Sequence, residues 1–237
     1  MTGLLTERLR QACDNAVAMW TTLALARGDD VLEHPAFTAI DGRRYRIMLR
    51  TATPGDAVVE ELTALAGKRR DEGRAVVVED PFRVLDLTAL GMTAGQLPVM
   101  AREPGTTPES PAGVERVTTP AELAGAENMV VHGFPLEEYQ PHRPGTVFPP
   151  ELLDRATAFF RKGGQGACLT MAHGGVGGVY WVTTMPEHRS QGVGRALMYA
   201  VLRHFDDVPV TLTASRSGRP LYEKLGFANL GDANWWR

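Results

Sequence analysis

The sequence predicts a protein in which helices alternate with strands and in which three strands of the second half form an antiparallel meander. Apolar residues recur at helical spacing over residues 5–27. Glycine-rich turns separate three strand-like segments after residue 155. Of the 237 residues, 43% are hydrophobic, which is enough for a buried core and above the content of disordered chains.

In the first half, the helix over 5–27 is followed by a predicted hairpin. Its turn is placed at Asp41-Gly42, a dipeptide suited to a tight turn between strands over 36–40 and 46–51. The remaining patterns predict a helix over 56–70, a strand over 75–78, a short helix over 81–90 ended by Gly91, and a strand over 97–101.

A segment with the composition of a linker divides the chain. Residues 104–113 are rich in proline, glycine, serine and threonine and show no hydrophobic periodicity. We therefore expect one domain over 1–103, a linker over 104–113 and a second domain over 114–237.

The second domain opens on a clear helix start. Thr119 is a capping residue, Pro120 suits the first helical position and Glu122 completes a capping box, which predicts a helix to about residue 131. Residues 151–160 fit either a short helical turn followed by a strand or one continuous helix. The other predicted elements are a loop over 137–150, strands over 156–162, 167–172, 179–184 and 209–213, and helices over 192–204 and 217–225.

Charge and cysteine content exclude several classes of protein. The formal charge is −3, with 25 basic against 28 acidic side chains, so the chain lacks the basic field that binds a nucleic-acid backbone. The two cysteines fit neither a disulfide framework nor a metal site, and no metal is expected. With no apolar run near ~20 residues and no secretory pattern at the start, we expect a cytoplasmic protein without membrane contact.

An anion site is predicted where a strand passes through a glycine turn into an apolar helix, at residues 184–197. The turn amides and the first helical N–H groups lack backbone partners, and the glycines allow a phosphate to approach closely. A nucleotide-binding loop is excluded because no Gly-Lys-Ser/Thr follows, and Leu197 replaces the third glycine of a dinucleotide fingerprint. The structural alternative is a turn that only joins the two elements.

Two motifs carry a resemblance to a known family. Arg189-x-x-Gly192-x-Gly194 resembles the acyl-CoA pyrophosphate signature, Arg/Gln-x-x-Gly-x-Gly/Ala, of the GNAT superfamily of acyl-CoA-dependent N-acyltransferases. The segment over 221–227, Leu-Tyr-Glu-Lys-Leu-Gly-Phe, is similar to the Leu-Tyr-x-x-x-Gly-Phe segment of that family. The resemblance covers about residues 117–236 and implies an α/β (α+β) fold with a mixed, mainly antiparallel central sheet flanked by helices.

The resemblance also implies a set of site residues. The strand over 179–184 is expected to diverge from the next parallel strand and to offer main-chain groups to the pantetheine arm, and the following turn is expected to hold the pyrophosphate. Tyr222 stands where the family has its general acid, which protonates the CoA thiolate; the alternative is a tyrosine that only packs on the sheet. The implied CoA-binding residues are Thr183, Thr184, Met185, Arg189, Ser190, Gln191, Gly192, Val193, Gly194 and Arg195.

The implied function is direct transfer of an acetyl group from acetyl-CoA, as acyl-donor co-substrate, to a primary amine on a small molecule or peptide. A general base stays unassigned among Glu137, Glu138, His173, Glu187 and a water chain. Ser215 departs from the asparagine found seven residues before the tyrosine in many members. The alternative function is a non-catalytic acyl-CoA sensor or interaction module, and a homodimer is possible in either case.

The first half repeats the order of strands, helices and turns of the second half, but it lacks several of the motif residues. Residues 51–54 correspond to 183–186, and Leu-Gly-Met over 90–92 corresponds to Leu-Gly-Phe over 225–227. Its turn has one glycine and an acid at Asp56, and Leu87 stands at the tyrosine position, so we expect an incomplete GNAT-like domain that binds no CoA. The loop over 137–150 and this domain are expected to form the acceptor site, where Glu137 and Glu138 would suit a cation.

Overall fold

A computed structural model describes residues 2–109, 113–134 and 136–237. The helices are α1 (Thr2–Arg27), α2 (Asp56–Asp71), α3 (Pro120–Gly133), α4 (Val193–His204) and α5 (Arg219–Lys224). The strands are β1 (Asp30–His34), β2 (Phe37–Asp41), β3 (Tyr45–Leu49), β4 (Val76–Asp80), β5 (Ala94–Arg102), β6 (Glu115–Arg116), β7 (Thr157–Lys162), β8 (Gly166–His173), β9 (Val176–Thr184), β10 (Val210–Thr213) and β11 (Ala228–Trp236). No described helix is both long enough and apolar enough to cross a membrane.

All of these strands belong to one sheet, in the order β1-β2-β3-β4-β11-β5-β10-β9-β8-β7-β6. The pairs β3·β4 and β9·β10 are parallel, and the other neighbours are antiparallel. Each parallel pair is joined by a crossover helix, as parallel pairing requires: α2 joins β3 to β4, and α4 joins β9 to β10. The mixed, mainly antiparallel sheet expected from the sequence is thus confirmed.

The last strand of each half lies beside the parallel pair of the other half. β5, from the first half, pairs with β10 of the second, while β11, from the second half, pairs with β4 of the first. β5 and β11 also pair with each other, from Ala228 opposite Ala101 to Trp236 opposite Ala94. The two halves therefore share one sheet across the exchanged strands, and the division at 104–113, of which 110–112 lie outside the described residues, stays a prediction.

Local signals predicted most elements. The hairpin over β2 and β3, the helices α1 to α5 and the meander β7-β8-β9 lie where the sequence placed them, within a few residues. The capping box of α3 is present: the Glu122 N–H donates to Thr119 Oγ1 (3.3 Å) and the Thr119 N–H donates to Glu122 Oε2 (3.2 Å). The alternative of a continuous helix over 151–160 is wrong, because β7 pairs with both β6 and β8.

Two further predictions need correction. The predicted helix over 81–90 is wrong, since only a 3-10 turn over Thr88–Leu90 forms. Buried Asp80 accepts the N–H groups of Phe82 and Leu85 instead, and this fixes the segment as a loop. The edge strands β1 and β6 were not predicted, because β1 is largely exposed and carries no apolar alternation and β6 has two exposed residues.

The helix α1 lies between the halves and holds the second-half meander through Asn15. The Asn15 side chain is fully buried, and its Nδ2 donates to the carbonyls of Met171 (3.0 Å), His173 (3.2 Å) and Val176 (3.1 Å). Its Oδ1 accepts the Tyr180 hydroxyl at 2.6 Å. One buried amide thus satisfies both ends of the β8–β9 hairpin and a β9 side chain.

Replacing Asn15 by alanine should destabilise the protein by about 2–4 kcal/mol, because it leaves the Tyr180 hydroxyl without its partner and removes the bonds that tie α1 to three carbonyls of the β8–β9 hairpin. Denaturant unfolding of the purified variant measures this loss. Gln11→Ala is the matched control: Gln11 lies one turn earlier on α1, where its Nε2 donates to the exposed Gly174 carbonyl at 3.4 Å and its Oε1 accepts from Arg8 at 2.6 Å. Neither bond leaves a core group without a partner when it is lost, so the effect should stay within about 1 kcal/mol. Equal losses in the two variants would contradict this account of α1.

Candidate active site

The two parallel strands of the second half separate at a defined point. β9 and β10 pair only at Gly177–Val210, Gly178–Thr211 and Val179–Leu212, although β9 continues to Thr184. Beyond Val179, no strand of the described residues pairs with the edge of β9 that faces away from β8. This divergence was expected from the resemblance, and it leaves main-chain groups available to an extended ligand.

A bulge in β9 coincides with this separation. The register with β8 shifts between Leu169–Tyr180 and Ala167–Thr183, so β9 carries one extra residue. Trp181, in the bulge, has φ +48, a left-handed conformation that is uncommon for a large side chain. The Thr183 hydroxyl donates to the Trp181 carbonyl at 2.9 Å and so holds the bulged backbone.

The turn between β9 and α4 presents a run of free N–H groups. From Ser190 to Arg195, no main-chain N–H donates to a described backbone carbonyl, whereas the Ala196 N–H donates to the Gly192 carbonyl (3.0 Å). Ser190 and Gly192 have positive φ values, +62 and +80, which turn the chain into α4. The exposed N-terminus of a 12-residue helix adds its dipole, so the turn is built to accept an anion.

Two arginines add charge to this turn. Arg189 and Arg195 are exposed, and neither has an ion-pair partner among the described residues. Space around Gly192 is open, while a Cβ on Gly194 would lie 3.3 Å from Leu221 Cδ2. The first glycine therefore serves the backbone turn and the second allows α4 to pack on α5.

The residues predicted to contact pantetheine lie at the free end of β9. Thr183 is buried and Thr184 is half-buried. The Met185 N–H donates to the Gln165 carbonyl (2.9 Å) and its own carbonyl accepts from His188 (2.9 Å). Met185 therefore has no free N–H for a ligand, contrary to what the strand end suggested, while the contacts of Thr183 and Thr184 stay predictions.

Tyr222 lies on α5 in the hydrophobic cluster that also contains Val179 and Leu212, the last paired residues of β9 and β10. The residue is 8% exposed, and its hydroxyl has no hydrogen-bond partner among the described residues yet is not sealed from solvent. Burial raises the pKa of the phenol well above its usual value, and the nearby Cys168 thiol adds to the rise. Tyr222 is thus protonated at neutral pH and able to donate a proton.

Ser215 has a local structural partner. Its Oγ accepts the Gly218 N–H at 3.0 Å and lies 3.2 Å from Ser217 Oγ, so it shapes the entry to α5, the helix that carries Tyr222. The serine that departs from the family pattern therefore still orders this segment.

The loop after α3 is held by a buried carboxylate that sequence reasoning did not single out. Glu127 on α3 is fully buried, and its oxygens accept the N–H groups of Gly145 (2.6 Å) and Val147 (2.7 Å). Arg27, at the end of α1, donates twice to the Val147 carbonyl (2.9 and 2.7 Å). Phe148 then packs against Trp181 of the bulge, with ring centroids 5.5 Å apart.

The first half reaches this loop through its β2–β3 turn. Arg44 forms an ion pair with Glu138 (3.1 Å), and Arg43 donates to the Glu138 carbonyl (3.0 Å). The expectation that Glu138 offers a free negative charge to a cationic acceptor is therefore wrong, because Arg44 neutralises it. No local pattern in the sequence joins positions 94 residues apart, so this contact could not be foreseen.

The candidate general bases are scattered. Glu137 and Glu187 are exposed. His173 lies at the far end of β8 from the turn between β9 and α4, and the length of β9 separates the two by roughly 25 Å. In the described part of the chain, no hydrogen bond joins any of them to Tyr222. Among the described residues, no cluster of histidine, cysteine and carboxylate side chains is placed to hold a metal ion.

The corresponding turn of the first half lacks the anion-binding features. Gly55 precedes α2 with φ −70 instead of +80, and Asp56 occupies the first helical turn. Leu87, at the tyrosine position, is fully buried in the first-half core. Gly91 and Gly226 share the left-handed conformation, with φ +69 and +84, at corresponding places in the two halves.

Comparisons with known proteins agree with this geometry. Residues 165–234 match the family model of the acetyltransferase (GNAT) domain. No curated protein sequence matches the chain. The matched residues, 165–234, contain β8 and β9, the turn between β9 and α4, Tyr222 and most of β11.

Solved structures share the whole fold. A GCN5-related N-acetyltransferase from Kribbella flavida is 23% identical, with a TM-score of 0.63, and the match covers 95% of this chain and 94% of that one. A tandem GNAT protein from the clavulanic acid biosynthesis pathway is 17% identical, with a TM-score of 0.56 over 84% of this chain and 77% of that one. A GCN5-related N-acetyltransferase from Sphaerobacter thermophilus is 19% identical, with a TM-score of 0.52 over 85% and 76%. At these identities, the likeness establishes the fold.

Gly133→Ala should lower both stability and affinity for CoA, because a Cβ at the end of α3 would overlap the Thr183 side chain and push the helix off the free end of β9. The expected loss is about 1–3 kcal/mol of unfolding free energy. Gly125→Ala on the same helix is the control: a Cβ there meets nothing within 4 Å, so alanine should stabilise by up to about 1 kcal/mol. Thermal unfolding with and without acetyl-CoA measures both effects, and a neutral Gly133→Ala variant would show that α3 does not constrain β9.

Proposed function

We infer that this chain, which carries a GNAT acetyltransferase domain, transfers an acetyl group from acetyl-CoA directly to a primary amine. The observation that carries the proposal is the run of free N–H groups from Ser190 to Arg195, which begins where β9 ends as an unpaired strand. The free N–H groups suit a pyrophosphate, and the unpaired end of β9 suits an extended arm that carries amides. The two features follow each other directly along the chain.

The residues present fit a CoA ester. The N–H groups of the turn, with the charges of Arg189 and Arg195, would hold the pyrophosphate. The free edge of β9 beyond Val179 would pair with the pantetheine amides as a further strand would. When bound, the thioester supplies the acetyl group, and the protein contributes position and a proton.

Transfer needs the amine nitrogen to attack the thioester carbon and the carbon–sulfur bond to break, after which the sulfur takes up a proton. Tyr222 Oη is suited to give that proton, because burial keeps the phenol protonated and the hydroxyl is not engaged by another described residue. The amine must lose a proton in return. The residue that accepts the amine proton is not assigned, since no hydrogen bond of the described residues joins a candidate base to Tyr222.

The acceptor would approach from the side of α1 and the loop after α3. There, the ring of Trp181 in the bulge contacts both Trp20 of α1, with centroids 5.3 Å apart, and Phe148 of the loop, with centroids 5.5 Å apart. We expect an acceptor of small-molecule or peptide size, and a cytoplasmic location fits the two free cysteines, Cys13 and Cys168, both buried as thiols. Homodimer formation stays a prediction.

Gly192→Glu should abolish CoA binding, because it places a carboxylate among the N–H groups that would hold the pyrophosphate. In the wild type, acetyl-CoA at about 100 times its Kd should add roughly 2.7 kcal/mol of stability in a thermal-unfolding titration. Gly175→Glu is the matched control, since Gly175 has a similar φ (+75), equally open surroundings, and lies in the β8–β9 turn at the other end of β9. A wild-type protein that stays folded and shows no shift would refute the CoA site.

Tyr222→Phe should lower kcat about 100-fold or more and leave acetyl-CoA affinity unchanged, because it removes only the proton that the sulfur needs. Thiol release with a panel of amines measures kcat, and calorimetric titration measures affinity. Tyr199→Phe, on the half-buried face of α4, should change neither. A Tyr222→Phe variant with full turnover would reject the acid role, and a protein that binds acetyl-CoA but acetylates no amine would fit the alternative function of an acyl-CoA sensor.

A further inference from the structure

A cavity of about 530 Å³ lies where the first half meets the loop after α3. It is bounded by the end of α1, the β2–β3 turn and the segment from Tyr139 to Glu151. Its charged and phenolic side chains are those of Arg27, Arg43, Asp29, Glu151 and Tyr139. A small organic ligand fits a volume of this size.

Neither of the two arginines that line this cavity forms an ion pair with a described carboxylate. No described carboxylate lies within 4.0 Å of the guanidinium of Arg27 or Arg43, whereas Arg44, the neighbour of Arg43, is paired with Glu138. Arg27 uses Nε and Nη2 to hold the Val147 carbonyl, and Arg43 uses Nη1 to hold the Glu138 carbonyl. Each therefore keeps N–H groups for a further acceptor atom.

Tyr139 brings the two cations together. The Arg27 guanidinium lies 5.5 Å and the Arg43 guanidinium 5.2 Å from the centroid of the Tyr139 ring. Burial raises the pKa of the Tyr139 phenol, so it stays protonated and can donate a hydrogen bond. Two guanidinium groups and one phenol thus offer donors to the same space, which is the chemistry that recognises a carboxylate.

Two acidic side chains also line the cavity. Burial raises the pKa of Asp29, an effect that the nearby charges of Arg27 and Arg43 oppose, and Glu151 is exposed to solvent. A Cβ on Gly42 would lie 2.7 Å from Asp29 Oδ2, so the β2–β3 turn packs directly on Asp29. The acids sit where they could receive the positive end of a zwitterion.

The cavity lies on the side of β9 from which, in the proposed function, the acceptor would approach. Tyr139 belongs to the same hydrophobic cluster as Trp181 and Met185 of the β9 end. The Val147 carbonyl that Arg27 holds precedes Phe148, whose ring contacts Trp181. The adjacent loop residues Val147 and Phe148 therefore connect an arginine of the cavity to the β9 bulge.

We propose that this cavity binds a carboxylate of the acceptor through Arg27 and Arg43, so that the substrate is an amine that also carries a carboxylate group. The proposal rests on the proposed function for the identity of the reaction, and it adds the class of acceptor. It replaces the cationic acceptor that Glu137 and Glu138 suggested with one whose recognised group is anionic.

The test compares ω-amino acids of increasing chain length with their primary amides, which differ only in the carboxylate. Thiol release from acetyl-CoA gives KM and kcat for each pair, and calorimetry with the N-acetylated acid and its N-acetylated amide measures binding without turnover. The variants are Arg43→Gln, which removes a cavity charge from an exposed turn, and Arg44→Gln, the adjacent arginine outside the cavity. Thermal unfolding confirms that both variants fold.

We expect at least one carboxylate to show a KM about tenfold or more below that of its amide, as charge-assisted hydrogen bonds imply. Arg43→Gln should abolish this preference without lowering affinity for acetyl-CoA, and Arg44→Gln should preserve it. The two proposals can also be separated. If the wild type binds the N-acetylated acid, Arg43→Gln loses that binding and no amine is acetylated, the carboxylate site is supported and the acetyltransferase activity is rejected.

Four results overturn the carboxylate site, and the first three of them leave acetyl transfer intact. The first is turnover with equal KM for acids and amides that Arg43→Gln does not change. The second is a preference for amides, which would assign the cavity to a cation held by Asp29 and Glu151. The third is equal loss of preference in Arg43→Gln and Arg44→Gln, which would mean that the turn acts through its fold instead of through a cavity charge. The fourth is a calorimetric titration in which none of the tested acids binds.

Discussion

Strands β5 and β11 pair antiparallel at the centre of the sheet, and each lies between the other and a strand of the opposite half. If either strand were removed, the parallel pair beside it would end in an exposed edge, with unpaired N–H and C=O groups. β10, which pairs with β9 up to the point where the two strands diverge, is thus held on its second side by a strand from the first half. The geometry of the candidate site depends on a contact that neither half makes alone.

The long helix α1 provides the second connection between the halves. Its buried Asn15 satisfies the β8–β9 hairpin, its Trp20 contacts Trp181 of the bulge, and its Arg27 holds the loop after α3. The Arg46 guanidinium of β3 lies 3.7 Å from the centroid of the Trp20 ring, so the same helix face also meets the first-half sheet. A rigid rod of 26 residues therefore sets the distance between the bulge and the acceptor-side loop.

The sequence was informative where a signal is local. The capping box at Thr119 and Glu122, the glycine turn before α4 and the strand patterns of the meander depend on residues within a few positions of each other, and the structure confirms the elements that they predict. The insertion of β11 between β4 and β5 has no such signal, because pairing partners more than 100 residues apart leave no periodicity in the chain. The failed helix over 81–90 has a similar cause, since the side chain of Asp80 took over N–H groups that helical propensity assigned to the backbone.

Charge on the acceptor side shows most clearly why recognition could not be read from the chain. The sequence places two acids, Glu137 and Glu138, in a loop that forms one wall of the cleft, and their charge favours a cation. Folding brings Arg44 against Glu138 and Arg43 and Arg27 around Tyr139, from segments more than 90 residues away. Glu138 is then paired with Arg44, while Arg27 and Arg43 form no ion pair with a described carboxylate beside the cavity. This contrast is why the acceptor that we propose is recognised through an anionic group. The turn before α2 in the first half lacks the positive φ of Gly192, but the β2–β3 turn and the end of α1 supply the cationic wall of the cavity. In the function that we propose, this ties the choice of acceptor to the half without the predicted CoA motifs.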